Sequence, residues 1–165
     1  MARVYVSVGS NIEPMSNIRS AMKGLRRYYP ELLFSTVFES EAVGFDGDNF
    51  YNFVVAFNTD DQVQQVAETL RLVEDEHARD RSRPKFSPRT IDLDLLLYDD
   101  LVCNDNGLNI PRDEIECNAF VLWPLAEVAP DVVHPVTRLR IDQMWQQFDK
   151  RSQQLWPVEI DWRAD

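Results

Sequence analysis

Alternating apolar and polar positions predict several β-strands in this chain. In residues 3–9, Val4, Val6 and Val8 alternate with Tyr5 and Ser7, which is the period of a strand with two different faces. Further strands are predicted at residues 33–39, 50–58 and 90–98. The last of these is rich in Ile and Leu, contains no Gly or Pro, and follows Pro88.

Helical periodicity predicts two long helices between these strands. The first begins near Pro14 and ends before Pro30, with an apolar stripe at Ile18, Met22, Leu25 and Tyr29. The second runs from about residue 61 to 78, with Asp60 as its N-cap and a stripe at Val63, Val66, Leu70 and Val73. Shorter helices are predicted at 119–129, kinked or started near Pro124, and at 141–149.

The order strand–helix–strand–strand–helix–strand predicts an α+β fold with a ferredoxin-like βαββαβ core. We expect an antiparallel sheet with the helices on one face, followed by short C-terminal helices. A length of 165 residues suits one domain covering residues 1–165.

Composition excludes several classes of protein. The chain is 44% hydrophobic and carries a formal net charge of −11, which argues against a general nucleic-acid binder. Its two cysteines are too few for a disulfide framework or a zinc site. We expect a cytoplasmic protein, because no signal peptide or long apolar run is visible, and we expect a monomer with no membrane or nucleic-acid partner.

Two carboxylates mark the strand at 90–98 as a candidate site. Alternation places Asp92 and Asp94 on one face, and Ile91, Leu93, Leu95 and Leu97 on the other. Their mutual repulsion is relieved if a divalent cation lies between them, and Mg²⁺ takes one or two protein carboxylates. An isolated pair of this kind is more often the solvated face of a strand.

The segment before this strand favours the metal site. Residues 79–89 carry five cations, Arg79, Arg81, Arg83, Lys85 and Arg89, against one Asp. Arginine and lysine bind phosphate oxygens while a metal ion occupies the carboxylates, so the combination predicts a site for a polyphosphate and its metal.

The run PRTIDLDLLLYD at residues 88–99 resembles the signature of the 6-hydroxymethyl-7,8-dihydropterin pyrophosphokinase family, an enzyme family of folate biosynthesis. The resemblance extends from VYVSVGSNI near the start to AFVLWPLAEVAPDVVHP near the end. It implies transfer of pyrophosphate from ATP to the hydroxymethyl group of the pterin, with release of AMP and with two Mg²⁺ ions.

The resemblance also implies roles for individual residues. Asp92 and Asp94 would bind the metals, and Arg79, Arg89 and Asp94 would act in catalysis. ATP would be bound by Arg79, Arg81, Lys85, Arg89, Leu95 and Arg112. The pterin would be bound by Ser40, Val43, Asn52, Phe86 and Phe120, with the two phenylalanines stacking on its ring. Glu74 matches an acidic position and is given a supporting role.

Several positions depart from the family pattern and keep alternatives open. Arg112 and Asp113 stand where the family has His and Tyr, and Asn118 stands where it has Arg. Residues 40–43 read Ser-Glu-Ala-Val in place of Thr-Pro-Pro-Leu, and Phe86 replaces Trp. The alternatives are a divergent paralogue that binds ATP–Mg²⁺ and another pterin, and a non-enzymatic ferredoxin-like binding module.

Overall fold

The computed structural model describes residues 1–41, 48–77 and 91–162. Its elements, in chain order, are β1 (Ala2–Ser10), α1 (Pro14–Arg26), β2 (Leu33–Phe34), β3 (Val37–Ser40), β4 (Phe50–Thr59), α2 (Val63–Glu76), β5 (Asp92–Tyr98), α3 (Glu114–Cys117), α4 (Ala119–Val128), α5 (Ile141–Gln147) and β6 (Leu155–Val158). No helix in these ranges is both long enough and apolar enough to cross a membrane.

The described strands form one antiparallel sheet with the order β5-β1-β4-β3-β6, and β2 also pairs with β4. This α+β arrangement confirms the predicted fold class. The single strand expected at 33–39 is divided because the Ser35 hydroxyl, rather than a ladder carbonyl, accepts the Val54 amide at 2.9 Å. Strand β6 lies in the C-terminal segment, for which the sequence predicted no element.

The first face of the sheet is covered by α1 and α2. The predicted apolar stripes of both helices are buried here against Val4, Val6 and Val8. Helix α2 begins later than expected, at Val63 after Gln62, so the prediction of Asp60 as N-cap is wrong. The preceding turn is held instead by Asp61, whose carboxylate accepts a hydrogen bond from the Tyr29 hydroxyl at 3.0 Å.

The second face is partly covered by α3, α4 and α5, which bury Tyr5, Val54 and Ala56 of the sheet. The helices of the βαββαβ core therefore share one face as predicted, and the later short helices lie on the other. Because helices were expected on one face only, the second face, which carries Asp92, Asp94 and Asn52, was expected to be free. That expectation is wrong for the part of the sheet beneath α4.

A β-bulge interrupts the alternation in β5. Tyr5 pairs with Leu97 and Val6 pairs with Leu95, which leaves Leu96 as an extra residue on β5. Leu97 consequently joins Tyr5 in the core of the second face, so the prediction that it shares a face with Leu93 and Leu95 is wrong. The bulge lies beyond Asp94 and leaves the two aspartates together.

Candidate active site

Asp92 and Asp94 lie next to each other on the second face of β5. They pair with Gly9 and Ser7 of β1, while Leu93 between them is buried on the opposite face. The Asp94 side chain is 39% exposed. The alternation of the strand thus holds two carboxylates at an accessible position over a rigid, buried support.

A third carboxylate approaches the pair from α2. Glu74 is only 5% exposed, and its Oε2 accepts a hydrogen bond from the Leu93 amide at 2.8 Å. A buried carboxylate normally needs such partners. Glu74 lies four residues after Leu70 and next to Val73, on the buried side of α2. An acidic residue on the apolar stripe of a helix is therefore the feature of the sequence that indicates its structural role.

The protein around Asp94 raises the pKa of its carboxyl from its ordinary 3.8 to about 6. Burial is the largest cause, and the charges of Asp92, Glu74 and Glu114 act in the same direction, while Arg112 opposes them. Hard oxygen ligands that repel one another suit Mg²⁺. The described residues hold no set of three or more side-chain ligands around one point, whereas Mg²⁺ needs only one or two protein carboxylates.

Arg112 supplies positive charge beside this cluster. Its Nη2 lies 3.7 Å from Asp94 Oδ1, and its Nε donates a hydrogen bond to Glu114 Oε2. The Arg112 backbone amide donates to the carbonyl of Leu96 at 3.1 Å, so the segment that carries it is attached to β5 at the bulge. Arg112 is a predicted ATP ligand, and Glu114 is a partner that sequence reasoning missed.

A cleft of about 220 Å³ opens beside Asp94 between α2, β5 and residues 107–112. Leu70, Leu95 and Ile110 are among its apolar lining residues, and Asp94 and Arg112 lie at its charged side. A mainly polar cleft with a few apolar side chains and charged groups at one side has the chemistry to receive a nucleotide. Leu95, which was predicted to bind ATP, is among the lining residues, and so is Arg71, which was not predicted.

The predicted pterin residues come from three elements. Asn52 is only 6% exposed and pairs with Gly9 of β1 and Phe38 of β3. A Cβ on Gly9 would lie 2.8 Å from Asn52 Oδ1, so glycine is required for the Asn52 amide to keep this position. Ser40 ends β3, and Phe120 is the second residue of α4, which packs on β3 and β4.

The remaining predicted site residues lie outside the described ranges. They are Val43, Arg79, Arg81, Lys85, Phe86 and Arg89. The described site therefore consists of the carboxylates, Arg112 with its cleft, and the group Ser40, Asn52 and Phe120.

Comparison with known proteins gives consistent matches. Residues 5–130 match the family model described as 7,8-dihydro-6-hydroxymethylpterin-pyrophosphokinase (HPPK). A 2-amino-4-hydroxy-6-hydroxymethyldihydropteridine pyrophosphokinase of Aquifex aeolicus is 39% identical over 140 residues, covering 84% of this chain and 87% of that protein. The enzyme of the same name from Pseudomonas aeruginosa is 36% identical over 138 residues, covering 81% and 84%.

Solved structures share the fold. The wild-type HPPK-DHPS of Plasmodium falciparum with SDX-DHP superposes with a TM-score of 0.68 at 12% identity. The match covers 89% of this chain and 43% of that longer protein. At this identity the likeness concerns the fold alone.

Proposed function

Because the chain belongs to the 7,8-dihydro-6-hydroxymethylpterin-pyrophosphokinase family, we propose a division of work among its residues for that family's reaction. The chain is a transferase of folate biosynthesis, which moves pyrophosphate from ATP to the hydroxymethyl group of hydroxymethyldihydropterin. The family match over residues 5–130 carries this conclusion. It also argues against a non-enzymatic binding module.

The atoms of the reaction define what the site must do. The hydroxymethyl oxygen bonds to the β-phosphorus of ATP, the bond from that phosphorus to the oxygen of the α-phosphate breaks, and AMP leaves. Positioning and neutralisation of charge dominate such a transfer, because little other chemistry is asked of the protein.

We propose that Asp92 and Asp94 hold the metal, with two Mg²⁺ ions as the expected number. Bound Mg²⁺ would neutralise phosphate charge and lower the pKa of the attacking hydroxyl. The carboxylates fit this task because they lie on the same face of β5 and their negative charges repel each other, which a bound cation would relieve. Asp94 is also the residue proposed to accept the proton of the hydroxyl.

ATP binding is proposed to occur in the cleft beside Asp94. Leu95 and its apolar neighbours would contact the base, and Arg112, held by Glu114, would reach a phosphate oxygen. Arg79, Arg81, Lys85 and Arg89 would add cations around the polyphosphate, with Arg79 and Arg89 stabilising charge on the transferred group. What supports this is the concentration of five cations in residues 79–89 of an otherwise acidic chain.

Pterin binding is proposed for Ser40, Val43, Asn52, Phe86 and Phe120. The buried Asn52 amide offers one acceptor and two donors, which match the hydrogen-bonding edge of a pterin. Phe86 and Phe120 would stack on the two faces of the ring.

The test of this function is separation of the nucleotides after incubation with ATP, Mg²⁺ and 6-hydroxymethyl-7,8-dihydropterin. Pterin-dependent AMP is the expected product. ADP, or no turnover by protein that binds ATP–Mg²⁺, would contradict it.

A second candidate is a paralogue that acts on another pterin. The observation that favours it is the sequence Ser-Glu-Ala-Val at residues 40–43, with Asn118 directly before the helix that carries Phe120. It predicts tight ATP–Mg²⁺ binding and AMP formation with a different reduced pterin only.

We further propose that residues 1–165 act as one pyrophosphokinase domain, in the cytoplasm and as a monomer. Sedimentation velocity at micromolar protein concentration tests the oligomeric state, and a dimer would contradict the proposal.

A further inference from the structure

The C-terminal segment makes a paired contact at the start of α4. Gln153 Oε1 accepts a hydrogen bond from the Ala119 amide at 2.7 Å, and Gln153 Nε2 donates to the Cys117 carbonyl, also at 2.7 Å. Ala119 is the first residue of α4, and the preceding Asn118 makes no side-chain cap. The first amides of a helix have no acceptor within the helix. Gln153 therefore supplies the acceptor for the Ala119 amide that an N-cap side chain would otherwise provide.

Two residues further on, the same segment joins β3. Leu155 pairs with Ser40 in the sheet, and Trp156 Nε1 donates to Glu39 Oε1 at 3.2 Å. The other oxygen of Glu39 accepts a hydrogen bond from Asn49 Nδ2 at 3.0 Å, just before β4. The stretch 153–156 therefore spans the distance between the start of α4 and the end of β3.

These two attachment points carry residues proposed to bind the pterin. Phe120 follows Ala119 directly, and Ser40 is itself the partner of Leu155. The relative placement of Phe120 and Ser40 is thus fixed through three residues of the C-terminal segment, in addition to the packing of α4 on the sheet.

We propose that Gln153 is a positioning residue of the pterin subsite, which sets the orientation of Phe120 against the β3 side of that subsite. The proposal rests on the pterin-binding roles proposed above for Ser40 and Phe120. It concerns orientation rather than folding, because α4 stays attached through buried Leu122 and Leu125 when the Ala119 amide and the Cys117 carbonyl lose Gln153.

The test compares two variants of Gln153 with a control at the next position. Gln153→Leu removes both hydrogen bonds, whereas Gln153→Glu keeps the acceptor for the Ala119 amide and loses the donor to Cys117. Gln154→Leu makes the same chemical change at an exposed position. KM for the pterin and for ATP is measured for each, together with the pterin Kd by tryptophan fluorescence in the presence of Mg²⁺ and an α,β-methylene analogue of ATP.

We expect Gln153→Leu to raise the pterin KM and Kd by about tenfold, which corresponds to about 1.4 kcal/mol of binding free energy. The KM for ATP should be unchanged, Gln153→Glu should recover much of the loss, and Gln154→Leu should resemble the wild type. An unchanged pterin Kd, or an equal rise in both KM values, would overturn the proposal.

Two controls separate this inference from other failures. If Gln153→Leu does not fold, Gln153→Asn decides, because its shorter amide cannot hold both the Ala119 amide and the Cys117 carbonyl. A raised pterin Kd with an unchanged Kd for the ATP analogue would support the positioning role, and a wild-type pterin Kd in Gln153→Asn would reject it. If the wild type forms no AMP, the proposed function fails, while the Kd comparison still decides the role of Gln153.

Discussion

Charges of the site conflict at Asp94. Burial and three neighbouring carboxylates raise its pKa to about 6, although Arg112 opposes them. In the protein without Mg²⁺ the carboxyl therefore keeps its proton up to about pH 6, and its ionised form at pH 7 destabilises the fold. A metal ion that replaces the proton relieves the same conflict.

A pH-dependent difference in stability is expected from this pKa. Between about pH 6 and the ordinary pKa of 3.8, folded protein binds a proton at Asp94 that unfolded protein does not, so its contribution to stability falls as the pH rises. Asp94→Asn should then be more stable than the wild type at pH 7, with the gap closing toward pH 4. Urea unfolding in EDTA measures it, with the exposed Asp100→Asn as control. A stability difference between Asp94→Asn and the wild type that does not change with pH would contradict the raised pKa of Asp94.

Activity should depend on both aspartates. Asp92→Asn or Asp94→Asn is expected to lower kcat/KM by about a hundredfold or more, because metal catalysis contributes several kcal/mol. The Mg²⁺ dependence of ATP binding should weaken in parallel, as read by isothermal titration calorimetry. Asp100→Asn, which changes the same functional group in the following turn, should behave as wild type.

Gly9 offers a test of the Asn52 position. Gly9→Ala would place a Cβ 2.8 Å from Asn52 Oδ1, so we expect the amide to shift and the pterin KM to rise with little change in the KM for ATP. Gly24→Ala is the matched control, because its Cβ would meet nothing nearer than 3.5 Å. In α1 that control should stabilise the protein by about 0.5–1 kcal/mol. A pterin KM unchanged in Gly9→Ala would separate Asn52 from the subsite.

Single residues differ in how far the sequence reveals them. Asp92 and Asp94 are predictable because both lie on one strand, where a period of two decides which side chains meet. Glu74 and Leu93 are 19 positions apart, and Gln153 and Ala119 are 34 apart, so their contacts depend on how whole elements pack.

Among the elements, β5 shows where alternation stops being informative. The alternation predicts correctly which face of the sheet Leu93 and Leu95 lie on, and it fails at Leu97. The extra residue Leu96 shifts the alternation by one, so the residues after it lie on the face opposite to the predicted one. Nothing in a run of three leucines marks the bulge. The structural reason is visible only in the fold, where the Leu96 carbonyl accepts the amide of Arg112.

The contribution of the hydrogen bond between α2 and β5 to stability can be measured with two variants of Glu74, one that keeps the hydrogen bond without the charge and one that removes both. Glu74→Gln keeps an acceptor for the Leu93 amide, whereas Glu74→Leu leaves that amide without this partner. We expect the Leu variant to be less stable than the Gln variant by about 1–3 kcal/mol, the cost of an unsatisfied buried donor. Chemical denaturation at neutral pH measures the difference. Equal stability of the two variants would show that the hydrogen bond contributes nothing.

For the molecule as a whole, the period of each helix predicts which of its own sides is buried but not which face of the sheet it covers. The core formed by α1 and α2 followed from the βαββαβ order. The sequence did not predict the second core, beneath α4 and α5, or the pairing of β6 with β3. Both depend on the path of the C-terminal part of the chain across the second face of the sheet.

Ligand binding should stabilise the whole fold. At a hundred times its Kd, ATP–Mg²⁺ adds about 2.7 kcal/mol to the free energy of unfolding, which for a chain of 165 residues corresponds to roughly 5–10 °C in Tm. ATP with EDTA should give little of this shift, and Asp92→Asn should lose it. Differential scanning fluorimetry gives the comparison. An equal shift with and without the metal would contradict a joint ATP–metal site.

The two outermost strands of the described sheet bear on how the protein behaves at high concentration. An uncovered strand edge is a template on which another chain can add, and addition of this kind leads to aggregates. On β5 the Leu93 amide is already taken by Glu74, and β6 is only four residues long and contains Pro157, which has no amide hydrogen to donate. The same Glu74 that borders the catalytic carboxylates therefore also protects the sheet from growing at that edge, so loss of its side chain should cost solubility as well as stability.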